Sequence, residues 1–150
     1  FIADVEASPS FIIEVVAGDD EGLAWIVDPM LDDKEMHKFS GSNQAGTHRE
    51  DDLMGTTCDA LAHFSLADSE GSMVFVDIQG KLLINHPSGV NRHDAHDPRK
   101  PDVLVLFDVM CHTVDKAGGL GDRGKAGIQK FMSQHKCNAI CKALGLEEFG

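Results

Sequence analysis

Met73-Val74-Phe75-Val76-Asp77-Ile78-Gln79-Gly80 is the stretch whose reading decides the fold. Its first four residues are apolar, two of them β-branched, and read as a buried strand that ends in Asp77-Ile78-Gln79-Gly80. Asp68-Ser69-Glu70-Gly71 is the turn that leads into it. Upstream of that turn, Leu53, Met54, Thr57, Cys58, Leu61 and Ala62 recur near helical spacing and predict a helix from about Asp51 to His63. Asp51 and Asp52 suit the positive end of its dipole. Residues 40–50 form a polar loop. Before it, residues 11–17 read as a strand, Gly18 to Gly22 as a turn, and Leu23 to Asp28 as a second strand stopped by Pro29, together a hairpin. Downstream, residues 85–102 hold three of the five prolines and read as an insertion. Val103 to Phe107 then forms a short strand leading into Asp108. A glycine-rich loop follows, then a helix over Lys125 to Gln134 and a last short helix over Asn138 to Leu144. Strands, helix, strands, then helices imply an α+β fold rather than a doubly wound sheet.

A length of 150 residues fits one domain, residues 1–150, with a sizeable core. The 25 acidic residues outnumber the 13 Lys and Arg and leave a formal charge of −12. That surface repels nucleic-acid phosphates and anionic membranes, so neither is an expected partner. No apolar run reaches the roughly 18 residues of a membrane span, and no signal peptide is recognisable. The four cysteines are too few for a disulfide scaffold, and an intracellular, cytoplasmic protein is expected.

Three groups of residues carry chemistry. His135-Lys136-Cys137-Asn138-Ala139-Ile140-Cys141 has the spacing His-x-Cys-x3-Cys, three ligands of the kind zinc takes; a closed site needs a fourth from elsewhere. The competing reading is two buried cysteines one helical turn apart. Gly119-Leu120-Gly121-Asp122-Arg123-Gly124 matches G-x-G-x-x-G, but no convincing strand precedes it and too little chain follows for a dinucleotide-binding unit. A flexible turn ahead of a helix accounts for it better than a nucleotide-binding loop. Asp77, Gln79 and Asp108 follow apolar runs, with Asp77 and Gln79 on one side of the chain if it stays extended. Such oxygen ligands suit Mg²⁺ with a phosphate substrate, or are ordinary polar turn residues.

Taken in order, these pieces resemble the alpha-kinase family. The matching stretches are Trp25-Ile26-Val27-Asp28-Pro29, His37-Lys38-Phe39-Ser40-Gly41, Ala60-Leu61-Ala62-His63-Phe64-Ser65 and Val74-Phe75-Val76-Asp77-Ile78-Gln79-Gly80. Leu106-Phe107-Asp108-Val109-Met110-Cys111-His112-Thr113, the glycine loop with Gly127-Ile128, and His135-x-Cys137-x3-Cys141 with Ala143-Leu144-Gly145-Leu146 complete the set. The Lys-Phe-Ser-Gly and Leu-Phe-Asp variants look like divergent copies common in fungal genomes. The resemblance implies a kinase-like fold, mostly its C-terminal lobe, with a zinc-binding module. It implies an ATP-dependent protein serine/threonine kinase using ATP, Mg²⁺ and Zn²⁺, with a protein substrate as partner. It nominates His63, His135, Cys137 and Cys141 for zinc, His63 from just before the strand leading to D-x-Q-G. Asp77 takes the place of the base near the acceptor hydroxyl, and Gln79 and Asp108 those of the Mg²⁺ ligands. Asp28 to Leu31 corresponds to the hinge on adenine, contacted mainly through its backbone. Gly119, Gly121 and Gly124 lie on the loop near the peptide substrate.

Two departures qualify the resemblance. No Lys or Arg precedes Lys34, and nine carboxylates fall in the first 33 residues, so the N-lobe strand with the phosphate-binding lysine is expected to be lacking and the domain N-terminally truncated. The link from D-x-Q-G to the metal aspartate is long, and Asp97-Pro98 rivals Asp108 for that place. A pseudokinase, or a zinc-stabilised peptide-binding module without catalysis, is the alternative function.

Overall fold

The computed structural model describes residues 3–30, 36–83 and 102–149. Leu31, Lys34, Asp97 and the rest of the insertion up to residue 101 lie outside them, while its last residue, Asp102, begins a strand. Eight strands and three helices are formed among the described residues: β1 (Ala3–Ala7), β2 (Phe11–Glu14), β3 (Ala24–Val27), β4 (His37–Lys38), α1 (Leu53–Asp68), β5 (Met73–Val76), β6 (Gln79–Leu83), β7 (Asp102–Leu106), β8 (Met110–Thr113), α2 (Lys125–Gln134) and α3 (Ala139–Ala143). One sheet has the order β1-β7-β6-β4, with β1 parallel to β7 and the other pairs antiparallel. β2 and β3 pair as the expected hairpin, and β5 pairs antiparallel with β8.

The 73–80 stretch does not stay extended. Asp77 takes φ 53°, a left-handed conformation that an aspartate tolerates better than most residues. There the chain leaves the β5–β8 pair and enters the four-stranded sheet as β6, so Asp77 and Gln79 do not share one side of a continuous strand. Asp108, with φ 51°, makes the converse passage from β7 to β8. The registers Val76↔Met110 and Gly80↔Leu106 set these two corners opposite each other. Gly80 is required at its corner, because a Cβ there would lie 2.7 Å from the Val105 carbonyl oxygen.

Helix α1 begins where Asp52 Oδ1 accepts from the Gly55 amide at 2.9 Å. It runs five residues beyond His63, so His63 is a helical residue and not a linker before β5. It closes in a Schellman turn, with the Gly71 amide on the Leu66 carbonyl and the Glu70 amide on Ala67. The core between this helix and the sheets comprises Cys58, Ala62, Leu66, Val74, Val76, Ile78, Leu104, Leu106, Ile128 and Phe131, with Phe39 and Ala45. Burying side chains such as Ile78 and Leu104 stabilises by about 1.5–3 kcal/mol each. The β2–β3 hairpin buries little of its apolar surface, with Ile12 71% and Ile26 74% exposed.

Candidate active site

The two sheet corners carry the candidate chemistry. β4 pairs with β6 so that Lys38 stands opposite Gln79. From there Lys38 Nζ reaches Asp77 Oδ1 at 2.7 Å, while the Asp77 side chain is only 15% exposed. The backbone at this corner is tied to residues 39–41: the Phe39 amide donates to the Ile78 carbonyl, the Ile78 amide to Ser40 Oγ at 2.9 Å, and the Asp77 amide to the Gly41 carbonyl at 3.3 Å. Across the junction, the Phe107 amide donates to the Gln79 carbonyl, and Gln79 Nε2 lies 3.5 Å from Asp108 Oδ2. The two corners thus bring Asp77 and Gln79 to one place with Asp108, some thirty residues downstream. Lys38 is the addition, a cation that spacing alone could not attach to Asp77. A pair this exposed on the lysine side is worth at most about 1 kcal/mol of stability, so its value is positional. Beside it, residues 38–41 and 44–48 line an open cleft of about 340 Å³.

Asp28 lies just beyond β3, exposed, with its carboxylate accepting a hydrogen bond from Ser10 Oγ. The glycine loop is a shaped structure. Gly119, Gly121 and Gly124 have φ of 90°, 89° and 67°, the region where glycine is favoured. They wrap around Asp122, whose carboxylate accepts from the Thr113 hydroxyl at 2.6 Å and from the amides of Thr113, Gly118 and Gly124. Burial pushes this carboxyl up, but the Thr113 hydroxyl and those three amides outweigh it and hold it far below the usual carboxylate range. Asp122 is a residue that sequence reasoning passed over; an acid inside a glycine run is its only signal. The His48 and Asp59 pair was missed likewise. Its ring Nδ1 lies 3.1 Å from the carboxylate, and Gly46 must lack a Cβ to admit Asp59.

Around His63 of α1, His63, His135, Cys137 and Cys141 converge, with one ligand atom from each lying within 4.8 Å of all the others. His63 Nδ1 is 3.5 Å from Cys137 Sγ, and His135 Nε2 is 3.7 Å from Cys141 Sγ. A tetrahedral zinc with Zn–N of about 2.1 Å and Zn–S of about 2.3 Å has edges of about 3.4–3.8 Å, which these separations match. Burial lowers His63 and, with the neighbouring His63, takes His135 down to about 4, shifts that favour the neutral rings a metal requires. Burial and then Cys141 push the Cys137 thiol up, a crowding that a divalent cation relieves. The donor set therefore fits a closed metal site.

Comparison with known proteins places the chain in a family. The alpha-kinase family model matches residues 2–141. Myosin heavy chain kinase A of Dictyostelium discoideum is 30% identical over 148 residues, covering 95% of this chain and 11% of that protein. Alpha-protein kinase 1 of the same organism is 31% identical over 144 residues, covering 95% of this chain and 9% of that protein. Among solved structures, the alpha-kinase domain of myosin heavy chain kinase A in complex with AMP matches with a TM-score of 0.65 and 30% identity, over 95% of this chain and 49% of that one. An inactive form of the same domain complexed with ATP matches with a TM-score of 0.64 and 29% identity, over 95% and 48%. The chain therefore spans about half the length of these solved domains. The fold is an α+β fold of the kinase-like kind. The chain belongs to the alpha-kinase family.

Proposed function

We propose that residues 1–150 are part of an ATP-dependent protein serine/threonine kinase domain that transfers the γ-phosphate of ATP to a hydroxyl on a protein. The observation that carries this is the meeting of Asp77, Lys38, Gln79 and Asp108 at two facing sheet corners. Phosphoryl transfer needs positioning and charge neutralisation more than covalent help from the protein. Asp77, held by Lys38 and by the Gly41 carbonyl on its amide, orients the acceptor hydroxyl and receives its proton. Gln79 and Asp108 would hold Mg²⁺, a hard ion that takes oxygen ligands and neutralises phosphate charge. Asp28 and Leu31 belong to the hinge segment that faces adenine, and nucleotide complexes of the related kinase domain support ATP as the donor. Gly119, Gly121 and Gly124 shape the loop beside the peptide substrate. His63, His135, Cys137 and Cys141 would hold a structural zinc that fastens α3 to α1. The test is phosphotransfer by the full-length protein with Asp77 intact and replaced.

A second reading, a pseudokinase lobe that docks peptides without catalysis, has one observation in its favour: nine carboxylates and no Lys or Arg among the first 33 residues, a poor field for a triphosphate. Peptide binding by the full-length protein with neither Mg-ATP binding nor turnover would support it.

A further inference from the structure

His112 is among the most buried polar residues, at 1% exposure, and it lies on β8 between two segments of the candidate site. Its Nε2 faces the Ser42 carbonyl oxygen at 2.8 Å, and its Nδ1 accepts from the Arg123 amide at 3.2 Å. One ring nitrogen must donate and the other accept, which is the Nε2–H tautomer of an imidazole. Both hydrogen-bond partners are backbone groups, and Asp122 Oδ1 lies 3.7 Å from Nδ1, so the ring ties two chain segments together. Ser42 continues from Ser40 and Gly41, which receive the amides of Ile78 and Asp77. Arg123 lies in the glycine loop, where the Asp122 carboxylate accepts from four donors, the Thr113 hydroxyl and the amides of Thr113, Gly118 and Gly124. A continuous path thus runs from the Asp77 backbone through Gly41 and Ser42 to His112 and on to the glycine loop. Helix α2 makes room for the ring: a Cβ on Gly127 would come within 2.2 Å of His112 Cδ2.

We propose that His112 is a positioning residue that sets the glycine loop at a fixed place relative to the corner bearing Asp77, and so aligns a peptide substrate with that carboxylate. The proposal rests on the kinase reading above. Losing this alignment weakens peptide binding more than it slows the turnover of a bound peptide.

Three variants of the full-length protein test it. His112→Gln keeps a donor for the Ser42 carbonyl and loses the acceptor for Arg123. His112→Asn keeps the acceptor and loses the donor. Gly127→Ala displaces the ring from the other side. Each is expected to raise KM for a basic Thr-containing peptide about tenfold, the loss of roughly one hydrogen bond, while kcat and KM for ATP stay within about twofold. In His112→Gln the Arg123 amide also exchanges with solvent faster, while amides of α2 do not. An unchanged peptide KM and Arg123 exchange rate in folded variants overturns the proposal. So does a parallel loss of kcat, both KM values and thermal stability, which would mark His112 as core packing only. If the unaltered protein transfers no phosphate, the kinase reading fails instead. Exchange at Arg123 then decides alone: accelerated exchange keeps the bridge, unchanged exchange removes it.

Discussion

Two aspartates with left-handed backbones, Asp77 and Asp108, occupy the corners where the chain passes between sheets. Such conformations cost about 1–3 kcal/mol and persist only when the surroundings impose them. Here Gly41, Ser40 and the facing corner impose that of Asp77. Both aspartates were legible in the sequence as acids that follow apolar runs. Their meeting was not, because an extended reading of 73–80 cannot foresee the turn at Asp77. Lys38 was invisible as a partner for a similar reason, since its two-residue strand is defined only by pairing with β6. In the full-length protein, Asp108→Ala is expected to abolish phosphotransfer to a peptide and Asp97→Ala to leave most of it; the reverse result would move the metal ligand into the insertion. Lys38→Met is expected to lower kcat by about 10²-fold, the usual cost of removing one preorganised charge. A steady-state assay that finds kcat unchanged would leave Lys38 with a surface role.

Among the elements, those with strong local signals were read closely from sequence. The helix over Lys125–Gln134 was foreseen at both ends, and α3 differs from its expected span by one residue at each end. β1, β4, β6 and β8 were not foreseen. Ala-Asp-Val-Glu-Ala is a half-polar edge and Met-Cys-His-Thr has one β-branched residue, so each owes its strand state to long-range pairing with β7 or β5. The metal cluster was half legible: the His-x-Cys-x3-Cys spacing stands in one segment, while His63 arrives only because α1 runs past it. Asn138 shows how α3 is held in place. Its Oδ1 caps the helix by accepting from the Ile140 and Cys141 amides, and its Nδ2 donates to the Thr56 carbonyl on α1 at 2.8 Å. Asn138→Ala is expected to destabilise by about 1–2 kcal/mol, read as a lower denaturation midpoint. Elemental analysis is expected to find one zinc per chain, and chelation or Cys141→Ala to expose the amides of α3 to exchange, since structural zinc contributes folding free energy. A metal-free protein with α3 still protected would remove zinc from the account.

For the molecule as a whole, two small sheet systems meet at one junction that holds the catalytic candidates, and a separate cluster of His63, His135, Cys137 and Cys141 gathers side chains of α1, α3 and the segment between α2 and α3. Among the described residues, no helix is long and apolar enough to cross a membrane. Residues 1–150 span about half of the solved kinase domains, and their β2–β3 hairpin is largely exposed. A polypeptide of these residues alone is therefore expected to bind Mg-ATP weakly, because Mg²⁺ on Gln79 and Asp108 would be the main charge neutralising the triphosphate and the adenine side would stay open to water. Calorimetric titration that returned micromolar affinity would show that Lys38 or another residue completes the nucleotide site. The most direct test of the central claim is phosphotransfer by the full-length protein from Mg-ATP to a basic Thr-containing peptide, compared with its Asp77→Asn variant. The account predicts phosphothreonine from the unaltered protein and none above background from the variant. Equal labelling by the two, or no labelling by a folded, unaltered protein, would contradict it.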